Sequence, residues 1–230
     1  MKFLSLFHIA LIIVFASLNG MMLYLFMLQL PYGLDPFLFS LAAWDRMSPQ
    51  IVYVAAISSV LAVAGAVLVQ WLPEVWKNRL LYARWDFSHP SSDAFLTTRK
   101  QPFENLELQA KFPMVKDSGF SRKVQTEVWH RAYAENRTRP VVLNTQIHWG
   151  MLRDLFALSI YFLAFFLVGW LINLGVPFQI VGIYMFLFGT QTLFLLFTAR
   201  RTGYRMVDNV LALALGMEED KKTPLGKKRK

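Results

Sequence analysis

The chain has 230 residues, 55% of them hydrophobic, 15% aromatic and 17% charged, with mean hydropathy +0.37 and a formal net charge of +9. An ordinary soluble domain of this length carries more charge and less Phe, Leu and Met, so the composition excludes one. No cysteine is present, which excludes a disulfide framework and a thiolate zinc site. The apolar residues gather in long continuous runs, and about 20 such residues span a bilayer core as a helix. The class predicted is an all-α integral membrane protein with four transmembrane helices and a small cytoplasmic helical subdomain between the second and third.

The first span is placed at 3–30, "FLSLFHIALIIVFASLNGMMLYLFMLQL", with Pro31-Tyr32-Gly33 as its breaker. Lys2 ahead of an apolar run resembles a secretory leader, but the run far exceeds the 7–15 residues of a leader core and no small-x-small site clearly ends it. It is therefore read as a retained span. The second span is placed at 51–72, closed by Pro73 and flanked by Trp71 and Trp76 at interface depth. Its Ala55, Ser59, Ala62 and Gly65-Ala66 are small enough to let helix backbones approach closely.

Residues 74–150 are read as a basic helical region. The stretch 74–85, "EVWKNRLLYARW", reads as a helical continuation of the second span, its Trp, Arg and Lys suited to the headgroup layer. Ser91 or Ser92 is the expected N-cap of a short helix. Two prolines and "KDSG" make 101–119 an irregular connector with one helical piece. A better helix follows at 121–137, with Val124, Val128, Ala132 and Tyr133 as its apolar stripe. Arg139-Pro140 ends it, and from Val141 the chain is free to run helically into the third span, 155–174.

The fourth span, 178–199, follows the short turn "NLGVP" and so lies antiparallel beside the third. A separate amphipathic helix is expected at 203–216, with Val207, Leu211 and Leu215 four apart, and a basic, disordered tail completes 203–230. The two amphipathic helices, 121–137 and 203–216, are expected to pack on each other.

Twelve Lys and Arg lie between Lys77 and Arg139, and more follow the fourth span at Arg200, Arg201, Arg205 and the closing "KKRK". The loop 31–50 has only Arg46 against Asp35 and Asp45, and the 173–177 turn has no charge. Because Lys and Arg collect on the cytoplasmic side, this places both termini and the middle region in the cytoplasm of a bacterial inner membrane. The same rule accounts for the net charge without nucleic acid. Anionic lipid headgroups are the expected partners of the basic segments, together with further copies of the chain and a cytoplasmic protein.

Chemistry-bearing patterns are few. His8, His89, His130 and His148 form no HxxxH or HExxH spacing, no G-x-S-x-G or Gly-rich phosphate loop occurs, and no metal or cofactor is expected. No Asp, Glu, Lys or Arg falls inside a span, where ion-coupled transporters place them. Two amides do: Asn19 and Gln191 are expected either to bond to each other or a hydroxyl, or to line a pore.

The polar run "NTQIHWGMLRD" at 144–154 carries the candidate contacts His148, Arg153 and Asp154. Arg153 follows Trp149 by four residues, a cation–π spacing. Asp154 is the last charge before the apolar run, so desolvation favours a partner. Arg205 is the one expected, with Arg153–Asp208 as the equivalent alternative.

Two functions from different classes fit this pattern. The first is a non-enzymatic, oligomerising membrane component or effector whose cytoplasmic region receives a partner or signal, an architecture shared by membrane-perturbing proteins of bacterial antiviral defence. The second is a subunit of a membrane enzyme or transporter acting on a phosphorylated or lipid substrate at a rim formed by His89, Asp93, His148, Arg153 and Asp154.

Overall fold

The structure, a computed structural model, describes residues 2–42, 49–96, 101, 103–173 and 175–217. The expectations for Asp45, Arg46, Arg99, Lys100, Leu174 and the tail 218–230 fall outside these residues. All regular structure among the described residues is helical: α1 Lys2–Met27, α2 Leu34–Ala42, α3 Pro49–Trp71, α4 Glu74–Tyr82, α5 Asn105–Lys111, α6 Pro113–Asp117, α7 Arg122–Asn136, α8 Pro140–Ile172 and α9 Phe178–Ala214, with one 3₁₀ turn at Pro90–Asp93. Four of these helices, α1, α3, α8 and α9, are long and apolar enough to cross a membrane.

Several boundaries differ from the sequence reading. α1 stops at Met27 rather than running to Leu30. Gln29 takes a left-handed conformation, φ 56°, and the Leu30 amide donates back to Leu25 O at 2.9 Å, a left-handed helix stop made before the proline is reached. The loop 31–50 contains a helix, α2, whose Phe37 meets Tyr24 edge-on with ring centroids 6.2 Å apart. α4 is a helix of its own rather than a continuation of α3. Pro73 interrupts the ladder, and its carbonyl accepts from Trp76 N and Lys77 N to start the new helix.

α8 begins with Pro140 in its first turn, where a missing N–H costs nothing, and runs 33 residues through the polar stretch into the apolar one. α9 joins the expected fourth span and amphipathic helix into one helix of 37 residues. The glycine at their junction, Gly203, costs about 1 kcal/mol relative to Ala, too little to break a helix continued on both sides by good formers.

The chain divides into two compact units, Met1–Leu81 with Gly150–Ala199, and Tyr82–Trp149 with Arg200–Lys230. In the first unit α1 and α8 are the inner helices. Half of the most apolar stretch of α1, 50%, is buried, against 11% for α3 and 22% for α9. Phe26 of α1 packs edge-on against Phe166 of α8 (4.7 Å) and Tyr184 of α9 (5.4 Å), and Phe166 stacks on Phe188 (5.3 Å). α3 lies against α1 where Gly20 leaves no room for a side chain: a Cβ there would sit 2.9 Å from Ala62 Cβ. It lies against α8 where Gly65 faces the Tyr161 ring, whose hydroxyl donates to Leu61 O at 3.0 Å. Ala62 and Gly65 of α3 thus serve contacts within the chain.

The second unit is held by α7. Gln125 is fully buried; its Oε1 accepts from Phe95 N at 3.0 Å and its Nε2 donates to Phe120 O at 2.6 Å. Trp129 stacks on Tyr133 and donates Nε1–H to Val207 O at 3.4 Å, joining α7 to the C-terminal part of α9. On α9 the buried face is Met206, Val207, Val210 and Leu211. Tyr133 Oη donates to Gln146 Oε1 (2.7 Å), Asn209 Nδ2 to Thr145 Oγ1 (2.9 Å), and Lys111 Nζ to Ala214 O.

Candidate functional site

α4 carries its polarity inside out. Lys77 and Asn78 point inward and are 5% and 6% exposed, while Val75, Trp76 and Leu80 face outward. An amphipathic helix on a water-facing protein has the opposite arrangement. Arg79 lies over the Trp76 ring, its guanidinium carbon 4.9 Å from the centroid. At the end of α3, Trp71 is exposed as well.

The inward residues of α4 meet the polar end of α8 and the start of α1. Arg153 and Asp154 are each 5% exposed. Asp154 Oδ1 lies 2.8 Å from Lys77 Nζ, and its Oδ2 lies 3.4 Å from His8 Nε2. Arg153 donates from Nη1 to Asn78 Oδ1 and from Nη2 to Glu74 Oε1, both at 3.2 Å, and its Nε lies 3.8 Å from Asp154 Oδ1. Glu74 stands on the surface, its side chain 79% exposed. Residues from three separate stretches of sequence, 8, 74–78 and 153–154, therefore form one ionic cluster within the first unit.

Asp154 thus has a different cation from the Arg205 expected for it. Its cation comes from Lys77, eight residues before Trp85 in a helix read only as a headgroup anchor, with His8 on the second oxygen. Arg205 is exposed on α9 and Asp208 is half-buried there; both belong to the second unit. His148 is exposed on α8. The signal for Lys77 and Asn78 was present but faint: in 74–82 the apolar residues that face outward fall on the helix side opposite Lys77, Asn78 and Leu81.

The two amides within the apolar helices bond to each other. Gln191 Nε2 donates to Asn19 Oδ1 at 2.9 Å, joining α9 to α1, and Asn19 Nδ2 donates to Phe15 O at 2.9 Å within its own helix. Asn19 is 1% exposed. Two buried serines bond within their own helices, Ser58 Oγ to Val54 O and Ser159 Oγ to Phe156 O, each at 2.8 Å, and Ser58 Oγ also lies 3.9 Å from Met27 Sδ of α1.

In the second unit, Asp93 is nearly buried and ion-paired to Arg84 and, at 3.7 Å, to Arg122. Ser91 and Ser92 beside it are fully buried. The cap of this 3₁₀ turn is His89 rather than a serine, its Nδ1 accepting from Ser91 N at 3.2 Å. The His89 ring packs against Trp129, Trp149 and His130 at 5.1, 5.4 and 5.7 Å. Among the described residues no three His, Asp or Glu side chains converge to hold a metal. Asp93 and His89 fix a turn onto α7.

Compared with protein-family models, curated proteins and solved structures, the chain matches none of them.

Proposed function

We propose that the chain is a multi-pass protein of the bacterial inner membrane. In this reading it is a non-enzymatic, oligomerising component whose basic cytoplasmic region receives a partner. One observation carries it: the polarity of the first unit is inverted. Asn19, Lys77, Asn78, Arg153 and Asp154 are buried and paired, while Ile13, Leu18, Val60, Val63, Phe186, Phe194 and Phe197 are exposed. Water would reverse that distribution, whereas hydrocarbon favours it, because polar groups there must be satisfied inside the protein. α3, the least buried of the four helices, is the face on which a second copy packs.

The absence of cysteine makes the topology directly testable. Ser121→Cys and Gly175→Cys variants, each with a single thiol, are exposed to a membrane-impermeant maleimide on intact cells. Labelling is expected at position 175 and only after permeabilisation at position 121. Labelling of 121 in intact cells overturns the orientation, and release of the chain by alkaline carbonate overturns membrane insertion itself. The reading as a subunit handling a phosphorylated or lipid substrate is favoured by one feature, the surface-exposed carboxylate of Glu74 on the buried guanidinium of Arg153.

A further inference from the structure

We infer that a slot between α1 and α3 holds the acyl chain of a bilayer phospholipid, whose ester carbonyl accepts a hydrogen bond from Tyr24. The ligand is a membrane lipid, so the site rests on the membrane reading.

The slot is a cavity of about 340 Å³ in the first unit, walled by Gly20 and Tyr24 of α1, Ala55, Ala62 and Val63 of α3, and Phe37 of α2. Ligand pockets begin at about 300 Å³ and are mostly apolar, with a few polar groups that orient the guest. Gly20 has no side chain to fill the space, and a Cβ there would meet Ala62. Ser17, Ser59 and Val63 on the walls are exposed, so the slot opens to the surroundings of α1 and α3. Around helices this long and apolar, those surroundings are hydrocarbon.

Tyr24 marks the cavity as a site. It is 5% exposed, and its Oη is buried with no hydrogen-bond partner among the described residues. Buried tyrosine hydroxyls normally have one. Two others in the same unit do: Tyr161 donates to Leu61 O at 3.0 Å and Tyr184 to Leu30 O at 3.1 Å. A bilayer core has no water to offer, so the missing acceptor must come from protein or from a guest. A carbonyl lodged in the slot supplies it once the phenol turns toward the open space. The serines have less need of a guest, since a serine hydroxyl can bond back to its own helix, as Ser58 does to Val54 O.

The order of polarity along the slot selects the guest. Tyr24 lies three residues before the end of α1 at Met27, about 5 Å along the axis, and Ser17 lies seven residues, about 10 Å, deeper. The hydroxyl thus sits near the interface, where tyrosine is favoured, and the rest of the slot runs toward the bilayer centre. A phospholipid chain has the same order, with its carbonyl at the headgroup end and methylenes inward. A helix of a second copy has no free carbonyl to offer at that depth, because its carbonyls are bonded within the helix.

The test uses the full chain in detergent, with bound lipid counted by native mass spectrometry. It is titrated with dioleoylphosphatidylglycerol and with the ether-linked analogue, which keeps the headgroup and hydrocarbon but has no carbonyl. The ester lipid is expected to bind about fivefold more tightly, the factor for one hydrogen bond of about 1 kcal/mol. Tyr24→Phe is expected to erase that preference without lowering the thermal midpoint of the lipid-free protein, since it removes an unpaired hydroxyl. Ser59→Leu, at an exposed position, is expected to fill the slot and weaken the binding of both lipids. Equal affinity for the two lipids in the unaltered chain, or a preference that survives Tyr24→Phe, overturns the site. So does a Ser59→Leu chain that binds lipid as before but loses a dimer, which makes a second copy the occupant. Carbonate extraction reports separately on the membrane reading, so a chain that stays in the membrane yet shows no ester preference loses this site alone.

Discussion

Asp154 and Lys77 are each about 5% exposed and 2.8 Å apart. Removing one member of such a pair leaves the other charge buried and unmatched, at a cost of about 3–5 kcal/mol, whereas replacing both with apolar residues of similar size is often neutral. Asp154→Asn is therefore expected to lower the unfolding free energy in detergent by about 3 kcal/mol, and Lys77→Met with Asp154→Leu to recover most of the loss. Equal losses in the single and double variants would show that the carboxylate acts through something other than Lys77. The amide pair is weaker. Hydrogen bonds between helices in membranes average about 0.6 kcal/mol, so Gln191→Leu is expected to cost under about 2 kcal/mol in the same unfolding measurement. A loss the size of that at Asp154 would mean that the amide carries more than the bond to Asn19.

Among the elements, the joint between α3 and α8 is decided by a glycine. A Cβ at Gly65 would lie 2.7 Å from Tyr161 Cε1, and the ring is pinned by its hydroxyl bond to Leu61 O. Alanine improves helix propensity by about 1 kcal/mol, while forcing a methyl into a packed contact costs about 1–3 kcal/mol. The clash wins because the ring cannot swing without losing its bond. Gly65→Ala is expected to lower the thermal midpoint, and Gly182→Ala, where nothing lies within 4 Å, to leave it unchanged or raise it. A stabilised Gly65→Ala would mean that α3 and α8 are held elsewhere. The four long helices were legible from unbroken apolar runs, as was the long α8, since nothing between Val141 and Ile172 interrupts a helix. The end of α1 at Met27 was not, because a left-handed Gln29 has no strong residue signal. Nor was α4: its Trp, Lys and Arg suit the headgroup layer by residue type, yet Lys77 and Asn78 turn inward, because a charge is buried only where another helix brings it a partner.

Across the whole molecule, the chain resolves into an apolar unit built on α1, α3, α8 and the first part of α9, and a polar unit built around α7. The expected packing of the two amphipathic helices corresponds to the Trp129 bond to Val207, although the residue at the centre of α7 is the buried Gln125, which apolar periodicity passes over. Of the candidate contacts, Arg153 and Asp154 enter the ionic cluster and Asn19 meets Gln191, while Arg205 and His148 are exposed.

The sequence by itself determined the helical class of the protein, its four long apolar helices and the segments in which its positive charge gathers, because these depend on local composition and run length. Only the tertiary structure decided which charges neutralise which. Lys77 and Glu74 lie about eighty residues from Arg153 and Asp154, and His8 lies farther still. Pairing across such separations is set by which helix faces meet and how deeply each group is desolvated, and neither quantity is written in the spacing of residues along one helix.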